Sequence, residues 1–118
     1  MGDRDPVLYR IMEVSNAADP YCLLTPPIKR GQVWYCERIG LCNEDTGALV
    51  VDVGVFDGNQ PTYFRSITLT VAGICYNIPF QITLRTEYQI VACFRGTTDG
   101  DRLFLSVNGY ISDSFTRS

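Results

Sequence analysis

Residues 88–111 read YQIVACFRGTTDGDRLFLSVNGYI, and this stretch contains the pattern that decides the fold. Apolar side chains recur at alternate positions in Tyr88–Arg95 and again in Arg102–Ile111. Alternation with a period of two is typical of a β-strand that buries one face. Between the two segments, residues 96–101 (GTTDGD) combine glycine with aspartate and threonine, the residue types that tight turns require. The stretch therefore predicts two antiparallel strands joined by a turn.

The same pattern extends back along the chain in short segments that are separated by turn residues. The further predicted strands are Val33–Cys42, Ala48–Phe56, Thr62–Val71 and Ile74–Phe80. No segment shows a helical period, and the spacing of the strands is that of a two-sheet sandwich. We therefore predict an all-β fold, an antiparallel β-sandwich or jelly-roll-like domain over residues 31–112. A frayed tail is expected at 113–118.

Alternation also assigns the predicted core. The inward-facing residues are Leu49, Val51, Val53, Val55, Ile74, Tyr76, Ile78, Phe80, Tyr88, Ile90, Ala92, Phe94, Leu103, Leu105, Val107 and Ile111. We expect these side chains to interdigitate between two packed sheets.

Residues 1–30 are predicted to form an extended N-terminal arm or an edge segment that leads into the sandwich. Val7–Val14 is compatible with a strand, and Tyr21–Leu24 is a short apolar run. The Pro-Pro pair at 26–27 removes two hydrogen-bond donors, so the chain there is expected to be extended and unpaired. Two alternatives remain open: an arm that packs on a neighbouring subunit, or an edge strand of the chain's own domain. If it is an arm, removal of residues 1–24 leaves a folded domain.

Composition and charge argue against several classes of function. The chain has 118 residues, a formal net charge of −3 and no histidine. An acidic chain lacks the basic face of a nucleic-acid binder and is not attracted to anionic membranes. The charged start MGDRDP is not followed by the apolar run of a signal peptide, and no stretch is long enough for a membrane span. We expect neither nucleic acid nor membrane as a partner.

The cysteines are Cys22, Cys36, Cys42, Cys75 and Cys93. An odd number without an export signal favours reduced, buried thiols. Cys36 and Cys42 are too far apart in sequence for the usual closely spaced zinc ligand pair, so no metal is expected. A cross-strand disulfide between Cys75 and Cys93 stays open.

Few residues are candidates for catalysis. Without histidine, nucleophile–histidine chemistry is excluded, and the remaining candidates are the carboxylates Glu37, Asp52 and Glu87. Strand carboxylates are more often solvated or ion-paired than catalytic. The segments Asp57-Gly58-Asn59 and Asp99-Gly100-Asp101 lack the further oxygen ligands of a calcium loop and predict tight turns. We expect no enzyme and no cofactor.

Apolar side chains also occupy the strand faces opposite the predicted core. They are Val50, Phe56, Val91, Cys93, Phe104 and Tyr110. A sheet with one solvated face should carry mainly polar residues there, so aligned side chains of this kind mark an interface. Coverage by the N-terminal segment is the alternative. The pairs Trp34-Tyr35 and Tyr63-Phe64 are candidates for stacking on a sugar. Because neighbouring residues of a strand point to opposite faces, at most one of each pair is expected to be free.

Two segments resemble a known family. LTPPIKRGQVW at residues 24–34 and LRTEYQIVACFRGTTDGDRL at residues 84–103, with Asn108-Gly109-Tyr110 after them, are similar to small β-sandwich virion proteins of tailed bacteriophages. Thr86 stands where those proteins usually carry glycine.

The resemblance implies a structural virion protein, of the capsid cement or decoration type, which is made in the host cytoplasm and bridges capsomers. The implied partners are the major capsid protein and further copies of the chain, as a dimer or trimer. The candidate contact residues are Tyr9, Ile11, Tyr21, Leu23, Phe56, Phe104 and Tyr110. The alternative is a glycan-binding module on a tail fibre or decoration spike, with Trp34 and Tyr63 as stacking residues.

Overall fold

Eight strands and no helix make up the described part of the chain, residues 7–16, 20–47 and 49–113 of the computed structural model. The strands are β1 (Val7–Val14), β2 (Tyr21–Leu24), β3 (Gln32–Asn43), β4 (Leu49–Phe56), β5 (Pro61–Leu69), β6 (Tyr76–Leu84), β7 (Gln89–Arg95) and β8 (Arg102–Asp113). The predicted all-β class is confirmed. Of the predicted tail at 113–118, all but the first residue lies outside the described residues.

The strands form two four-stranded antiparallel sheets that pack face to face. The first sheet has the order β1-β8-β3-β6 and the second the order β2-β7-β4-β5. Each strand of the first half of the chain pairs with its counterpart in the second half: β1 with β8, β2 with β7, β3 with β6 and β4 with β5. The chain is thus one long hairpin wrapped into two layers. This is the antiparallel sandwich predicted from the sequence, with a jelly-roll-like strand order.

The N-terminal segment supplies one edge strand to each sheet. β1 pairs with β8 along its length, and β2 pairs with β7. Leu23 of β2 is fully buried, and Ile11 of β1 packs against the core. Of the two alternatives, the structure places these residues as edge strands of the chain's own domain, with no boundary at residue 30. The expectation that residues 1–24 can be removed is therefore corrected, because their removal would take a strand from both sheets.

The core lies between the sheets and follows the predicted alternation closely. Its fully buried side chains include Leu23, Ile39, Leu41, Val51, Val53, Leu69, Leu84, Ile90, Phe94, Leu103, Leu105 and Val107. Ile74, Tyr88 and Ile111 were expected in the core but are exposed. Each of them lies at, or just beyond, the end of its strand, where the opposite sheet no longer covers it.

A buried carboxylate holds one end of the sandwich together. One Asp101 carboxylate oxygen accepts hydrogen bonds from the Thr98 backbone N–H at 2.8 Å and the Asn43 side-chain amide at 3.1 Å. The other oxygen accepts the Thr46 hydroxyl at 3.0 Å. The Asp101 backbone N–H donates to the Ser15 hydroxyl at 3.0 Å, just after β1. Three separate chain segments therefore meet at one residue of the turn between β7 and β8.

This network explains why the Asp99-Gly100-Asp101 segment carries two aspartates with different roles. Asp101 is buried and Asp99 is exposed. A buried donor that loses its acceptor costs about 1–3 kcal/mol, whereas an exposed aspartate in a turn contributes little. The turn predicted at these residues is present, and the Asp101 side chain stabilises the fold.

Replacing Asp101→Ala should lower the free energy of unfolding by about 3 kcal/mol, because three donors lose a charged acceptor. Asp99→Ala in the same turn should change it by less than about 0.5 kcal/mol. Urea denaturation followed by tryptophan fluorescence would measure both variants. Equal stabilities of the two variants would contradict a structural role for the Asp101 network.

Candidate interaction surface

The predicted contact residues of the N-terminal segment face inward. Leu23 is fully buried, and Tyr9, Ile11 and Tyr21 are partly buried against the core. The Tyr21 hydroxyl donates to the Glu13 carboxylate at 2.8 Å. That hydrogen bond, followed by burial and the nearby negative charge, raises the pKa of Tyr21. These side chains hold β1 and β2 to the sandwich and do not form a projecting contact surface.

The other predicted contact residues lie on two different faces. Register places Phe104 and Tyr110 on the outer face of the first sheet and Phe56 on the outer face of the second. Tyr110 stacks on Tyr35 with ring centroids 4.9 Å apart. The structure therefore does not bring the predicted set together into one surface.

The outer face of the second sheet is covered in part by the N-terminal segment. Cys22 of β2 lies directly opposite Cys93 of β7, and the two form a disulfide with Cα atoms 3.9 Å apart. The Tyr63 hydroxyl lies 3.3 Å from the Cys93 sulfur. Cys93 and Val91 are buried although they face outward. Coverage by the N-terminal segment, one of the two alternatives, accounts for Cys93, which is bonded to Cys22.

Two expectations about the cysteines are corrected by this disulfide. Not all of the thiols are reduced, and Cys93 is joined to Cys22 and not to Cys75, which is exposed and free. Which cysteine bonds to Cys93 depends on which strand lies beside β7. Because β2 has only four residues, its sequence pattern is too short to predict that it pairs with β7.

A surface that the sequence did not single out runs along β5 and β6. Both are edge strands, and they lie at the same side of the sandwich. Phe64 of β5 is 53% exposed and its ring centroid lies 6.3 Å from that of Phe80 in β6. We call the surface formed by Tyr63, Phe64, Pro79, Ile82 and Tyr88 the β5–β6 flank.

A β-bulge explains why both aromatic residues of β5 are exposed. Val53 pairs with Arg65 and Gly54 pairs with Tyr63, so Phe64 is the extra residue on β5. Strict alternation predicts that either Tyr63 or Phe64 enters the core, and this expectation is wrong because the bulge interrupts it. Tyr63 is 45% exposed and lies opposite Gly54, which has no side chain to displace it.

Two shallow grooves border Phe64. One, of about 220 Å³, is lined by Thr62, Ile82, Leu84 and Tyr88 among others. The other, of about 350 Å³, is lined by Pro79, Phe80, Gln81 and Ile82, together with Phe64 itself. Phe64 thus forms a ridge between two depressions whose floors are partly apolar. Grooves of this kind can bind side chains of another protein.

The backbone edge of β6 is blocked on this flank. Pro79 has no N–H to donate to a further strand. Its carbonyl accepts a hydrogen bond from the Arg65 guanidinium of β5 at 3.1 Å, which spans the gap between the two edge strands. Protected edges of this kind disfavour sheet extension. Contact at the flank would therefore be made by side chains.

The carboxylates considered for catalysis are dispersed. Asp52 lies on the second sheet, where it accepts from the Ser66 hydroxyl at 2.6 Å and forms an ion pair with Arg95 at 2.9 Å. Glu37 is the extra residue at a bulge in β3 of the first sheet. Glu87 lies in the turn between β6 and β7 with φ of 73°. They do not form a carboxylate pair.

Trp34 and Asp57, the remaining aromatic and acidic candidates, stabilise the fold. Trp34, predicted as a stacking residue, is buried in the core, so this expectation is corrected. Asp57 accepts the backbone N–H groups of Asn59 and Gln60 at 2.8 and 2.9 Å, which closes the predicted turn. These hydrogen bonds, with that from Gln60 the strongest influence, lower the pKa of Asp57.

Two further features do not occur among the described residues. Within residues 7–16, 20–47 and 49–113 no group of three or more potential metal-ligating side chains occurs. The same part of the chain contains no helix that is long and apolar enough to cross a membrane.

Comparison with known proteins gives structural neighbours but no match in sequence. No protein-family model matches the sequence, and no curated protein matches it. A solved structure of the infectious bursal disease virus Gt strain is similar over 92% of this chain, with 14% identity and a TM-score of 0.46. A structure of the Gx strain matches over 92% of the chain, with 17% identity and a TM-score of 0.37. This chain covers 31% of each of those viral chains. Similarity of this degree says nothing about what the chain binds.

Removal of the disulfide in the double variant Cys22→Ala/Cys93→Ala should lower the free energy of unfolding by about 4 kcal/mol, because the bond joins residues 71 apart in sequence. Guanidinium denaturation with and without a reducing agent would measure this. The natural chain should lose stability in the reducing agent, and the double variant should be unaffected. A natural chain whose stability does not depend on the reducing agent would contradict a structural disulfide.

Proposed function

We propose that the protein is a structural component of a virion, of the capsid cement or decoration type found on tailed phages. In this proposal it acts without catalysis, by burying the β5–β6 flank against neighbouring subunits. The exposed Phe64 ridge with its two grooves is the observation that carries the proposal. The resemblance of residues 24–34 and 84–103 to phage virion proteins indicates the type of particle.

The fold is compatible with this role but is not sufficient for it. Jelly-roll-like double sheets recur in viral capsid and lectin domains. Because one fold serves many functions, the surface has to distinguish among them. The flank supplies apolar side chains where a free edge strand would usually carry charges. Arg65 is the charged residue among those that line the larger groove, and its guanidinium is already bonded to Pro79.

The energy available at the flank sets the kind of binding expected. Full burial of a phenylalanine contributes about 1.5–3 kcal/mol, and Phe64 is already half buried, so it can contribute about 1 kcal/mol on its own. A stable interface needs about 800 Å² from each partner. Single contacts through the flank would therefore be weak. Many copies bound at once on a symmetric particle would bind strongly through avidity.

Self-association is the first test. Phe64→Ser should weaken the proposed dimer or trimer about tenfold, because the ridge no longer fills the partner's surface. Sedimentation velocity over a range of protein concentrations would measure this. Val14→Ser is the matched control, because Val14 is 55% exposed but lies on β1, at the opposite side of the sandwich. Equal association of both variants and the natural chain would contradict the role of the flank.

The copy number on particles is the second test. Virions from the natural source should carry the protein, and quantitative mass spectrometry would give its copy number. On the order of hundreds of copies indicates the capsid, and about a dozen or fewer indicates the tail or the portal. Absence of the protein from purified virions would contradict the proposal.

A glycan-binding module is the second candidate, and one observation favours it. The smaller groove combines the exposed rings of Phe64 and Tyr88 with the polar side chains of Asp57, Thr62 and Thr83. Aromatic faces beside hydroxyl and carboxylate groups suit the apolar and polar sides of a sugar ring.

A glycan array would test the second candidate. Tyr88→Ala should abolish any specific glycan signal while leaving the melting temperature unchanged, since the side chain is exposed. Tyr110→Ala, an exposed tyrosine on the outer face of the first sheet, is the control and should bind as the natural chain does. Absence of a signal for the natural chain, or a signal that survives in Tyr88→Ala, would contradict glycan binding at this groove.

A further inference from the structure

A second pair of cysteines lies close together at one end of β3 and β6. Leu41 of β3 pairs with Tyr76, the first residue of β6, and continuing that antiparallel register by one residue brings Cys42 opposite Cys75, which directly precedes β6. The side chains of Cys42 and Cys75 line the same cavity. Residues directly opposite in antiparallel strands have Cβ atoms about 4.5–5.5 Å apart, close to the separation in a disulfide. Cys22 and Cys93, which are directly opposite in the second sheet, are already joined.

The two thiols differ in access. Cys75 is exposed, whereas Cys42 is fully buried. Both line a cavity of about 170 Å³ on the outer face of the first sheet, whose wall also contains Arg10 and Phe104. A reagent from solution can therefore reach the Cys75 sulfur first. The buried Cys42 sulfur can then react with a disulfide that has formed on Cys75.

The surroundings of Cys42 favour its protonated form. Burial, and then the neighbouring Cys75 and Glu44, raise the pKa of Cys42 to about 12. Its thiol donates a hydrogen bond to the Glu44 carboxylate, with 3.7 Å between sulfur and oxygen. Because the thiolate is the nucleophile in disulfide exchange, Cys42 needs a proton acceptor at the moment it reacts.

We propose that Cys42 and Cys75 are a redox-active pair that reacts with low-molecular-weight disulfides such as oxidised glutathione. The Cys75 thiolate attacks one sulfur of the glutathione disulfide, which forms a mixed disulfide and releases one glutathione thiolate. Cys42 then attacks the Cys75 sulfur, forms the Cys42–Cys75 bond and releases the second glutathione. Two protein thiols are oxidised, one glutathione disulfide is reduced, and the two thiol protons end on the two released glutathione molecules.

Glu44 slows the second step. Its carboxylate accepts a hydrogen bond from the Cys42 thiol and contributes, after burial, to the raised pKa of that thiol, so it disfavours the thiolate that attacks Cys75. The proton that Cys42 loses passes through water to the departing glutathione thiolate. The first step involves the exposed Cys75 and does not need Glu44.

The Cys42–Cys75 bond would close a loop that contains part of the β5–β6 flank. It closes the segment from residue 43 to residue 74, which contains β4 and β5 and therefore Phe64. A bond that closes a loop of this kind restricts the unfolded chain and stabilises the folded one. The inference stands on the geometry of β3 and β6 alone and does not depend on the proposed virion role.

Mass spectrometry of the folded full-length chain with oxidised glutathione tests the proposal. We expect a transient adduct of one glutathionyl group at Cys75, followed by a species lighter than the natural chain by two hydrogen atoms. Peptide mapping should then show the Cys42–Cys75 bond, and the melting temperature should rise. Cys75→Ser should form no adduct, whereas Cys42→Ala should retain the adduct without closing the disulfide.

Glu44→Gln separates the two steps and does not remove a buried side chain. Its adduct should form at the natural rate, and closure should be faster, because the negative charge that disfavours the Cys42 thiolate is gone. Closure at the natural rate would overturn the role of Glu44. An adduct in the natural chain that never resolves, a bond from Cys75 to Cys22 or Cys93, or a bond between the Cys75 residues of two chains would overturn the pair itself.

Discussion

Pairing between the two ends of the chain determines the rest of this structure. β1 pairs with β8 and β2 pairs with β7, so each sheet contains strands from both halves of the sequence. This nested pairing leaves β1, β2, β5 and β6 as the edge strands. Asp101 and the Cys22–Cys93 disulfide both reinforce the junction of the N-terminal strands with the C-terminal ones. The exposed flank follows from the same constraint, because the middle of the wrapped hairpin has to lie at an edge.

Alternation in the sequence was sufficient to predict the fold class and most of the core. In β4 and β8, which have paired neighbours on each side, every second residue is a buried aliphatic one: Leu49, Val51, Val53 and Val55 in β4, and Leu103, Leu105 and Val107 in β8. Local pattern was insufficient where the chain departs from regular pairing. The extra residue Phe64 at a bulge, and the short strand β2, are determined by contacts with residues far away in sequence.

The predicted contact residues missed the exposed flank for a physical reason. Phe56, Phe104 and Tyr110 were selected as apolar residues facing away from the predicted core. The other four were selected as residues of a projecting arm, but Tyr9, Ile11, Tyr21 and Leu23 contact the core itself. A sequence signal for the flank does exist: the run PTYFRS at residues 61–66 places two aromatic residues side by side in a strand that begins with proline. Proline at the start of a strand indicates an edge strand.

The central position of β8 has a consequence for how the chain acquires its structure. β8 lies between β1 and β3, so the first sheet has no continuous hydrogen-bonded ladder until the last strand is available. Topologies dominated by contacts between distant residues fold slowly, on a time scale of about milliseconds to seconds. During synthesis on the ribosome, β1 would remain unpaired until β8 has emerged, and β3 would be paired on one side only, with β6. The nascent chain would therefore expose apolar faces of the first sheet until β8 is synthesised, and exposed apolar surface of this kind favours chaperone binding.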